Sequence, residues 1–191
     1  MLILETERLA LRRLQPADLD ALAALYSNPE IRRYFPSGTR TREETREELE
    51  WFLDAYARRP EIGLWATIDK PTGRFIGRCG LLAWTIDGRE EIEVAYLLDK
   101  AFWGQGLATE AARAIAAYAF ERLGVPRLIC LIHPQNQASI NVARRLGMAF
   151  EQAREDEKGP YLVFAMSRPA AALTPVEEAG VIALEGQPAQ P

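Results

Sequence analysis

The stretch "YLLDKAFWGQGLATEAARAI", residues 96–115, passes from an apolar run through two glycines into an alanine-rich pattern with helical spacing. Glycine in regular structure costs backbone entropy, so Gly104 and Gly106 indicate a turn that side chains would obstruct. A strand, a glycine turn and a helix start together can bind phosphate, because the first helical N–H groups are unpaired and the helix dipole is positive there. A short Gly-x-Gly pattern is weak evidence, so a phosphate site and a purely structural turn both stay open.

Two common nucleotide-binding motifs fit this turn poorly. A Walker A loop ends in Gly-Lys-Ser or Gly-Lys-Thr, whereas the chain here reads Gly106-Leu107-Ala108-Thr109. A dinucleotide-binding fingerprint needs a third glycine or alanine where Thr109 stands. It also needs an acidic residue at the end of the next strand, which here ends in His133 and Pro134. A nucleotide-binding enzyme is therefore disfavoured.

The composition favours one domain with a sizeable core. The chain has 191 residues, of which 48% are hydrophobic and 26% charged. The net charge of −4 argues against a nucleic-acid binder that relies on a strong basic field. The chain has no run of about 18 apolar residues and no signal-peptide pattern, so we expect a cytoplasmic protein without a membrane span. Cys79 and Cys130 lie in apolar runs, which predicts buried, reduced thiols.

Hydrophobic periodicity and turn residues predict a mixed α/β domain. The predicted strands are residues 8–14, 63–69, 74–84, 90–99, 127–132, 148–155 and 160–168. Turn sequences separate the second, third and fourth of these strands, which indicates an antiparallel meander. The short, fully apolar strand 127–132 is typical of strands buried on both faces.

The predicted helices are residues 16–27, a short piece at 28–35, Thr41 to about Arg58, 106–123 and 136–147. Thr41 and Glu44 form a capping-box pattern, and Asn136 and Gly147 are typical first and last residues of a helix. From Pro169 the sequence is rich in Ala, Pro, Gly and Glu, which predicts a flexible tail. The expected organisation is therefore a domain of residues 1–168 followed by a tail of residues 169–191.

Two ordered motifs carry a resemblance to a known family. "EVAYLLDKAFWGQGLATEAARAIAAYAF" (93–120), followed by "HPQNQASINVARRLGM" (133–148), resembles the acetyl-CoA-binding half of a GNAT-superfamily N-acetyltransferase. "ETERLALRRLQPADLDAL" (5–22) is similar to the RimJ/RimL branch, which acetylates protein N-termini. The resemblance covers roughly residues 5–168. It implies a single α/β domain with a mostly antiparallel, splayed central sheet flanked by helices, and acetyl transfer from acetyl-CoA to a primary amine.

The resemblance also implies how coenzyme A is bound. The backbone of the glycine turn would hold the pyrophosphate, with Trp103 standing where the family usually has Gln or Arg. The strand before the turn would pair its backbone with the pantetheine amides like an added strand. Asn136 would bond the pantetheine arm as well as cap its helix. The implied cofactor-binding residues are Tyr96, Leu97, Leu98, Gly104, Gln105, Gly106, Leu107, Ala108, Thr109 and Asn136, and no metal is expected.

Acetyl transfer to an amine needs a base for the ammonium and a proton for the leaving thiolate. Glu93 lies on the strand where this superfamily often keeps a catalytic carboxylate, with an ordinary solvated strand position as the alternative. Many members have a tyrosine on the last helix, where this chain has Ala143. Ser139, in a pattern similar to the RimL branch, is then the candidate proton donor, with a capping role as its alternative.

The acceptor is the least determined part of the hypothesis. A protein N-terminus and a small-molecule amine, including an antibiotic amine, both stay open, and the acidic balance mildly favours a cationic acceptor. The candidate groove residues, for which core positions are the alternative, are Tyr34, Phe35, Trp65 and Trp84. His133 is expected to be structural or solvent-facing. Ala143 leaves a coenzyme A sensor without transfer activity as the alternative function, and a homodimer stays open.

Overall fold

The computed structural model describes residues 1–169, which form one eight-stranded sheet and four α-helices. The strands are β1 (Leu2–Glu5), β2 (Leu9–Arg13), β3 (Gly63–Asp69), β4 (Arg74–Ile86), β5 (Arg89–Leu98), β6 (Arg127–Ile132), β7 (Ala149–Asp156) and β8 (Gly159–Ser167). The helices are α1 (Leu19–Tyr26), α2 (Arg42–Arg58), α3 (Leu107–Glu121) and α4 (Gln137–Arg145), with 3-10 turns at Pro16–Asp18 and Lys100–Phe102. The strand order is β1-β2-β3-β4-β5-β6-β8-β7.

The sheet is antiparallel except where β5 and β6 run parallel, and that pair is joined at a single position. Glu93 pairs with Ile129, whereas β4 and β5 pair along ten positions from Gly77↔Leu98 to Ile86↔Arg89. Beyond Glu93 the two parallel strands therefore diverge. We call this gap between the C-terminal parts of β5 and β6 the splay. It confirms the mostly antiparallel, splayed sheet predicted from the sequence.

The helices cover the two faces of the sheet in pairs. On one face, Arg78 of β4 donates from Nε to the hydroxyl of Tyr26 of α1. On the other, the hydroxyl of Tyr96 of β5 donates to the backbone carbonyl of Ser139 of α4 at 3.0 Å. We call these the α1/α2 face and the α3/α4 face. Because side chains alternate along a strand, neighbouring residues of β5 reach different faces.

Most predicted elements are confirmed, including the meander β3–β5, the capping box of α2 and the Asn136 cap of α4. β1, a short edge strand that pairs with β2, was not predicted from the sequence. Both cysteines are buried free thiols, and burial raises the pKa of Cys79 to about 11. Within residues 1–169, no helix is long and apolar enough to cross a bilayer. The predicted tail lies, apart from Pro169, outside the described residues.

The short helix predicted at residues 28–35 is wrong. Asn28 accepts through its side-chain oxygen from the backbone N–H of Glu30, which forms a local turn. Arg32 donates from Nε to the carbonyl of Gly38 at 2.7 Å and from Nη2 to Ser37 Oγ at 2.6 Å. The segment therefore folds as consecutive turns around the buried Arg32 side chain, a tertiary contact that local spacing does not reveal.

Replacing the α2 cap gives a direct test of this part of the fold. Thr41→Ala removes the oxygen that accepts from the backbone N–H of Glu44 at 3.2 Å and should lower the free energy of unfolding by about 1 kcal/mol. Thr41→Ser keeps an acceptor at the same position and is the matched control. Urea unfolding of the three proteins measures the difference. An equal loss in both variants would show that the hydroxyl does not stabilise α2.

Candidate active site

The glycine turn combines a left-handed backbone with open space. Gly104 has φ of 75° and Gly106 has φ of 79°, in the region that favours glycine. A Cβ at Gly104 would meet nothing within 4 Å, and one at Gly106 would lie 3.7 Å from Arg8 Nη2. Backbone conformation rather than crowding within the chain therefore requires the glycines. Gly106 is also the N-cap of α3 and supplies no side-chain cap, so the helix start is available to a ligand.

A cavity of about 860 Å³ lies in front of this turn, and we call it the turn groove. Its charged lining residues are Glu7, Arg8, Glu110, Arg113 and Arg145. Arg8 is held in place by two hydrogen bonds, from Nε to Glu110 at 2.7 Å and from Nη1 to the carbonyl of Gln105 at 3.0 Å. The groove therefore has an uncapped helix start at its centre and guanidinium groups at its edge, which suits a phosphorylated ligand.

Glu110 anchors the groove to the start of the chain. Its carboxylate accepts from the Thr6 hydroxyl at 2.5 Å and from the backbone N–H of Arg8 at 2.9 Å. Burial raises the pKa of Glu110, but these hydrogen bonds and Arg8 outweigh it and hold the pKa below its ordinary value. Three arginines of the groove were not predicted from the sequence: Arg8, Arg113 and Arg145. Helical spacing from Thr109 could have indicated Arg113, whereas Arg8 reaches the groove only through tertiary structure.

The backbone of β5 offers its free edge to the splay. The N–H of Asp99 donates to the carbonyl of Ile76 in β4 at 2.7 Å. Because antiparallel residues alternate between facing a partner strand and facing away, the backbone groups of Tyr96 and Leu98 point away from β4. The carbonyl of Leu97 instead points at β4, 2.1 Å from where a Cβ on Gly77 would lie. Of the predicted triplet, Tyr96 and Leu98 thus present their backbone to the splay, and Leu97 does not.

Trp103 has a structural role beside this edge. Its indole Nε1 donates to the carbonyl of Leu98 at 2.8 Å, although its ring is half-exposed. Deeper in the splay, the thiol of Cys130 donates to the carbonyl of Val94 at 3.1 Å. These two contacts lie on either side of Tyr96, whose backbone remains the central edge position facing the gap.

Glu93 lies at the point where the splay opens. It is 8% exposed, so it is not the solvated strand residue that the sequence left as an alternative. Its carboxylate accepts from Trp84 Nε1 at 2.7 Å and from the backbone N–H of Leu131 at 3.2 Å. The carboxylate thus bridges the diverging strands and lies on the same face of the sheet as Trp84.

Burial raises the pKa of Glu93 to about 7, while the hydrogen bonds from Trp84 and Leu131 and the charge of Arg78 lower it only in part. A carboxyl group with this pKa exchanges protons readily near neutral pH, which is what a general base for an ammonium requires. A hydrophobic environment with one strong donor is a known way to produce such a group. The group is therefore suited to proton transfer near neutral pH.

The opposite side of β5 holds a separate set of polar groups. Asn136 accepts through Oδ1 from the backbone N–H of Ser139 at 3.1 Å, which confirms its capping role. The Tyr96 phenol bonds to the Ser139 carbonyl, and burial raises its pKa well above the ordinary value. The Ser139 side chain also interacts with the Tyr96 phenol and lowers its pKa in part. Ala143 is fully buried one turn further along α4.

The four aromatic residues proposed to line an acceptor groove have different positions. Trp84 bonds to Glu93, and Phe35 packs on the guanidinium of Arg32 at 4.3 Å. Tyr34 stacks on the ring of His133 with centroids 5.2 Å apart. Trp65 is fully buried on the α3/α4 face, edge-on to Tyr118, and is a core residue. Within residues 1–169 no cluster of three or more His, Cys, Asp or Glu could hold a metal ion.

Comparison with known proteins gives a consistent result. Residues 8–149 match the family model described as Acetyltransferase (GNAT) domain. The chain is 34% identical over 162 residues to the uncharacterized protein YkkB of Bacillus subtilis (strain 168), covering 84% of this chain and 93% of that protein. It is also similar to an acetyltransferase from Agrobacterium tumefaciens str. C58 whose crystal structure is known, with 29% sequence identity and a TM-score of 0.72. The match covers 85% of this chain and 92% of that one.

A third similarity concerns the fold alone. The structure described as RimL, a ribosomal L7/L12 alpha-N-protein acetyltransferase in complex with coenzyme A, is 20% identical to this chain. Its TM-score is 0.73, and the match covers 87% of this chain and 98% of that one.

The raised pKa of Glu93 predicts a pH-dependent loss of stability. Between the ordinary value of 4.5 and about 7 the folded protein binds more protons than the unfolded chain, so stability falls as pH rises through this window. The full difference is roughly 3 kcal/mol, at about 1.4 kcal/mol for each pH unit. Glu93→Gln should remove this term. Urea unfolding at pH 5 and pH 8 should therefore show the variant gaining stability relative to wild type at the higher pH.

A change in stability that is the same at both pH values would contradict this expectation. It would mean that the variant lost hydrogen bonds to Trp84 and Leu131 but that Glu93 was ionised throughout. The bonds from Trp84 and Leu131 favour the ionised form, and their effect is already contained in the pKa of about 7, so the difference between the two pH values reports the net shift.

The turn groove predicts a basic contribution to coenzyme A binding. Arg113→Gln removes an exposed guanidinium from the groove and should weaken coenzyme A binding by about five- to tenfold, as expected for one partly screened charged contact. Arg122→Gln changes an exposed arginine at the far end of α3 and is the matched control. Calorimetry of wild type and both variants decides the matter. Equal affinities in all three would show that the phosphates bind elsewhere.

Proposed function

Because the chain belongs to the GNAT acetyltransferase family, we propose that it moves the acetyl group of acetyl-CoA to a primary amine by direct attack in a ternary complex. The observation that supports this most is the buried Glu93 carboxyl, with a pKa of about 7, at the point where β5 and β6 diverge. A buried carboxyl group with a perturbed pKa beside an open strand edge is typical of a functional site.

The residues present fit coenzyme A at three places. The uncapped start of α3 and the arginines of the turn groove suit the phosphates, and the absence of a Cβ at Gly104 and Gly106 keeps that space open. The free backbone edge of Tyr96 suits the pantetheine amides, and the side-chain amide of Asn136 has donors to spare. When bound, acetyl-CoA supplies an acyl group activated as a thioester.

Glu93 is the proposed base. Its carboxylate takes a proton from the acceptor ammonium, directly or through one water, and the neutral amine then attacks the acyl carbon. Because its pKa is about 7, Glu93 is present in both the ionised and the protonated form near neutral pH. The hydrogen bond from Trp84 keeps the carboxylate on the α1/α2 face, so we propose that the amine arrives from that side.

The leaving thiolate needs a proton on the α3/α4 face. Ser139 is the proposed donor, because it lies in the first turn of α4 and its side chain interacts with the Tyr96 phenol beside the splay. The Tyr96 phenol bonds to the carbonyl of the same residue and keeps this turn against β5. Ala143, at the helix position where many family members have a tyrosine, is buried and has no group that donates a proton. Ser139 is therefore the side chain of α4 that we propose for this role.

Membership of the RimJ/RimL branch and a protein N-terminus as acceptor stay proposals. They are supported by the "WGQG" turn sequence and by a likeness of fold to the RimL structure. The cytoplasmic location, the domain of residues 1–168 with its tail and the homodimer stay predictions from the sequence. A coenzyme A sensor without transfer activity is the alternative, and the raised pKa of Glu93 favours the enzyme over it.

Steady-state pH–rate profiles test the enzyme directly. Free thiol released from acetyl-CoA is measured against a panel of peptides and small amines. Glu93→Gln should lower turnover about ten- to a thousandfold near pH 7 and be partly rescued at high pH, where solvent deprotonates the amine. Trp84→Phe removes a hydrogen bond that lowers the pKa of Glu93, so it should move the acidic limb of the profile to higher pH. Coenzyme A affinity should change little in either variant.

Ser139→Ala distinguishes the proton donor from the base. It should lower turnover across the whole pH range, because the thiolate must leave at every pH. A silent Ser139→Ala would mean that water protonates the thiolate. Tight coenzyme A binding with no turnover across the panel would favour the sensor.

A further inference from the structure

The α1/α2 face buries more positive than negative charge. Three arginines are almost inaccessible there: Arg32 is 2% exposed, Arg78 6% and Arg40 8%. Glu48 is the buried carboxylate among them, and even an ionised Glu93 leaves one positive charge in excess. Buried charges are normally paired, because desolvation without compensation is costly. The exposed carboxylate of Glu44 offsets part of the charge of Arg32 and Arg40, which help to hold its pKa below the ordinary value, but it does not act on Arg78.

The three arginines differ in their contacts. Arg40 lies 3.1 Å from Glu48, so these two charges offset each other. Arg32 is bound to Gly38 and Ser37, where it shapes the segment between α1 and α2. Arg78 donates from Nε to the Tyr26 hydroxyl, and among residues 1–169 its terminal nitrogens have no hydrogen-bond partner. The Tyr26 hydroxyl in turn donates to the Glu48 carboxylate at 3.0 Å, but Tyr26 itself carries no charge.

Arg78 and Glu93 share one face of neighbouring strands. Arg78 pairs with Leu97 and Glu93 pairs with Leu82, four positions apart along β4. Four positions along a strand span about 13 Å between the backbone atoms. The charge of Arg78 acts on the Glu93 carboxyl. The two groups therefore belong to one electrostatic environment.

Small residues separate these two groups on the sheet surface. Gly80 and Ala95 face each other between them, so this part of the surface carries no side chain larger than a methyl group. A ligand lying across Gly80 and Ala95 would have one end at Glu93 and the other at Arg78. Phe35 and Tyr26 stack on the Arg78 guanidinium at 5.8 and 5.2 Å and leave its edge as the donor side.

We propose that the acceptor carries a carboxylate within a few bonds of its amine, with the ammonium at Glu93 and the carboxylate at Arg78. This inference rests on the proposed function and names its substrate class. A guanidinium binds carboxylates through two parallel hydrogen bonds, so Arg78 suits this group better than a lysine would. Two sources share the chemistry: a free amino acid through its α-carboxylate, and a peptide that begins with Asp or Glu. The expectation of a cationic acceptor from net charge is replaced by a zwitterionic one.

The carboxylate takes no part in bond making. The amine nitrogen forms a bond to the acyl carbon as the carbon–sulfur bond breaks, Glu93 takes the proton of the ammonium, and the sulfur receives a proton. Arg78 is therefore a binding residue for the acceptor, and its loss should raise KM far more than it lowers kcat.

Matched acceptors test the proposal with the wild-type protein. The twenty free amino acids are compared with their carboxamides, and peptides beginning with Asp or Glu with those beginning with Asn or Gln, by thiol release from acetyl-CoA. We expect kcat/KM to be about 10- to 100-fold higher for the acid of the preferred pair. Preference within the first set identifies an amino acid, and preference within the second identifies a peptide. Equal rates for acids and amides would overturn the inference while leaving the proposed function intact.

A variant and a binding measurement complete the test. Arg78→Met should abolish the preference by raising KM for the acid, whereas Arg74→Met, at an exposed position of the same strand, should keep it. Thermal stabilisation by the acid and amide forms, measured with coenzyme A present, requires no turnover. If Arg78→Met fails to fold, the matched ligands still decide the matter. Absence of turnover with every acceptor contradicts the proposed function, and equal stabilisation by acids and amides contradicts the carboxylate site.

Discussion

The single pairing of Glu93 with Ile129 is the constraint on which the rest of the structure depends. β5 and β6 start parallel at that point and then separate, so the backbone of Tyr96 faces a gap rather than a neighbouring strand. Unpaired backbone groups inside a sheet are normally satisfied by a neighbouring strand or another partner. Glu93 itself covers one of them, the N–H of Leu131, and the Cys130 thiol covers the Val94 carbonyl. The remaining edge is what a pantetheine arm would complete.

The proposed base and the proposed proton donor lie on opposite faces of the sheet. Alternation along β5 sends Glu93 to the α1/α2 face and Tyr96 to the α3/α4 face. The proposed base and the proposed proton donor both act at the splay in our proposal. The stability of the sheet is lowered by this arrangement, because Glu93 is held in a place that disfavours its charge. Functional sites commonly carry such a cost.

Local sequence signals predicted most elements and the glycine turn, because periodicity, caps and turn residues act within a few positions. The splay could be expected only from the family resemblance, since a parallel pairing between residues 93 and 129 leaves no local signature. Tertiary contacts could not be predicted for the same reason. Arg8 binds Glu110, which is 102 residues away in the sequence, and Arg78 binds Tyr26, which is 52 residues away. The predicted helix at 28–35 was wrong because Arg32 organises that segment from within the core.

A crystal structure of the protein with coenzyme A tests the central claim most directly. The account predicts phosphates against the backbone N–H groups of Gly104–Thr109, pantetheine amides on the backbone of Tyr96, and the sulfur in the splay between Glu93 and Ser139. Coenzyme A bound away from the splay would contradict it. So would a β5–β6 ladder that continues beyond Glu93 and closes the gap.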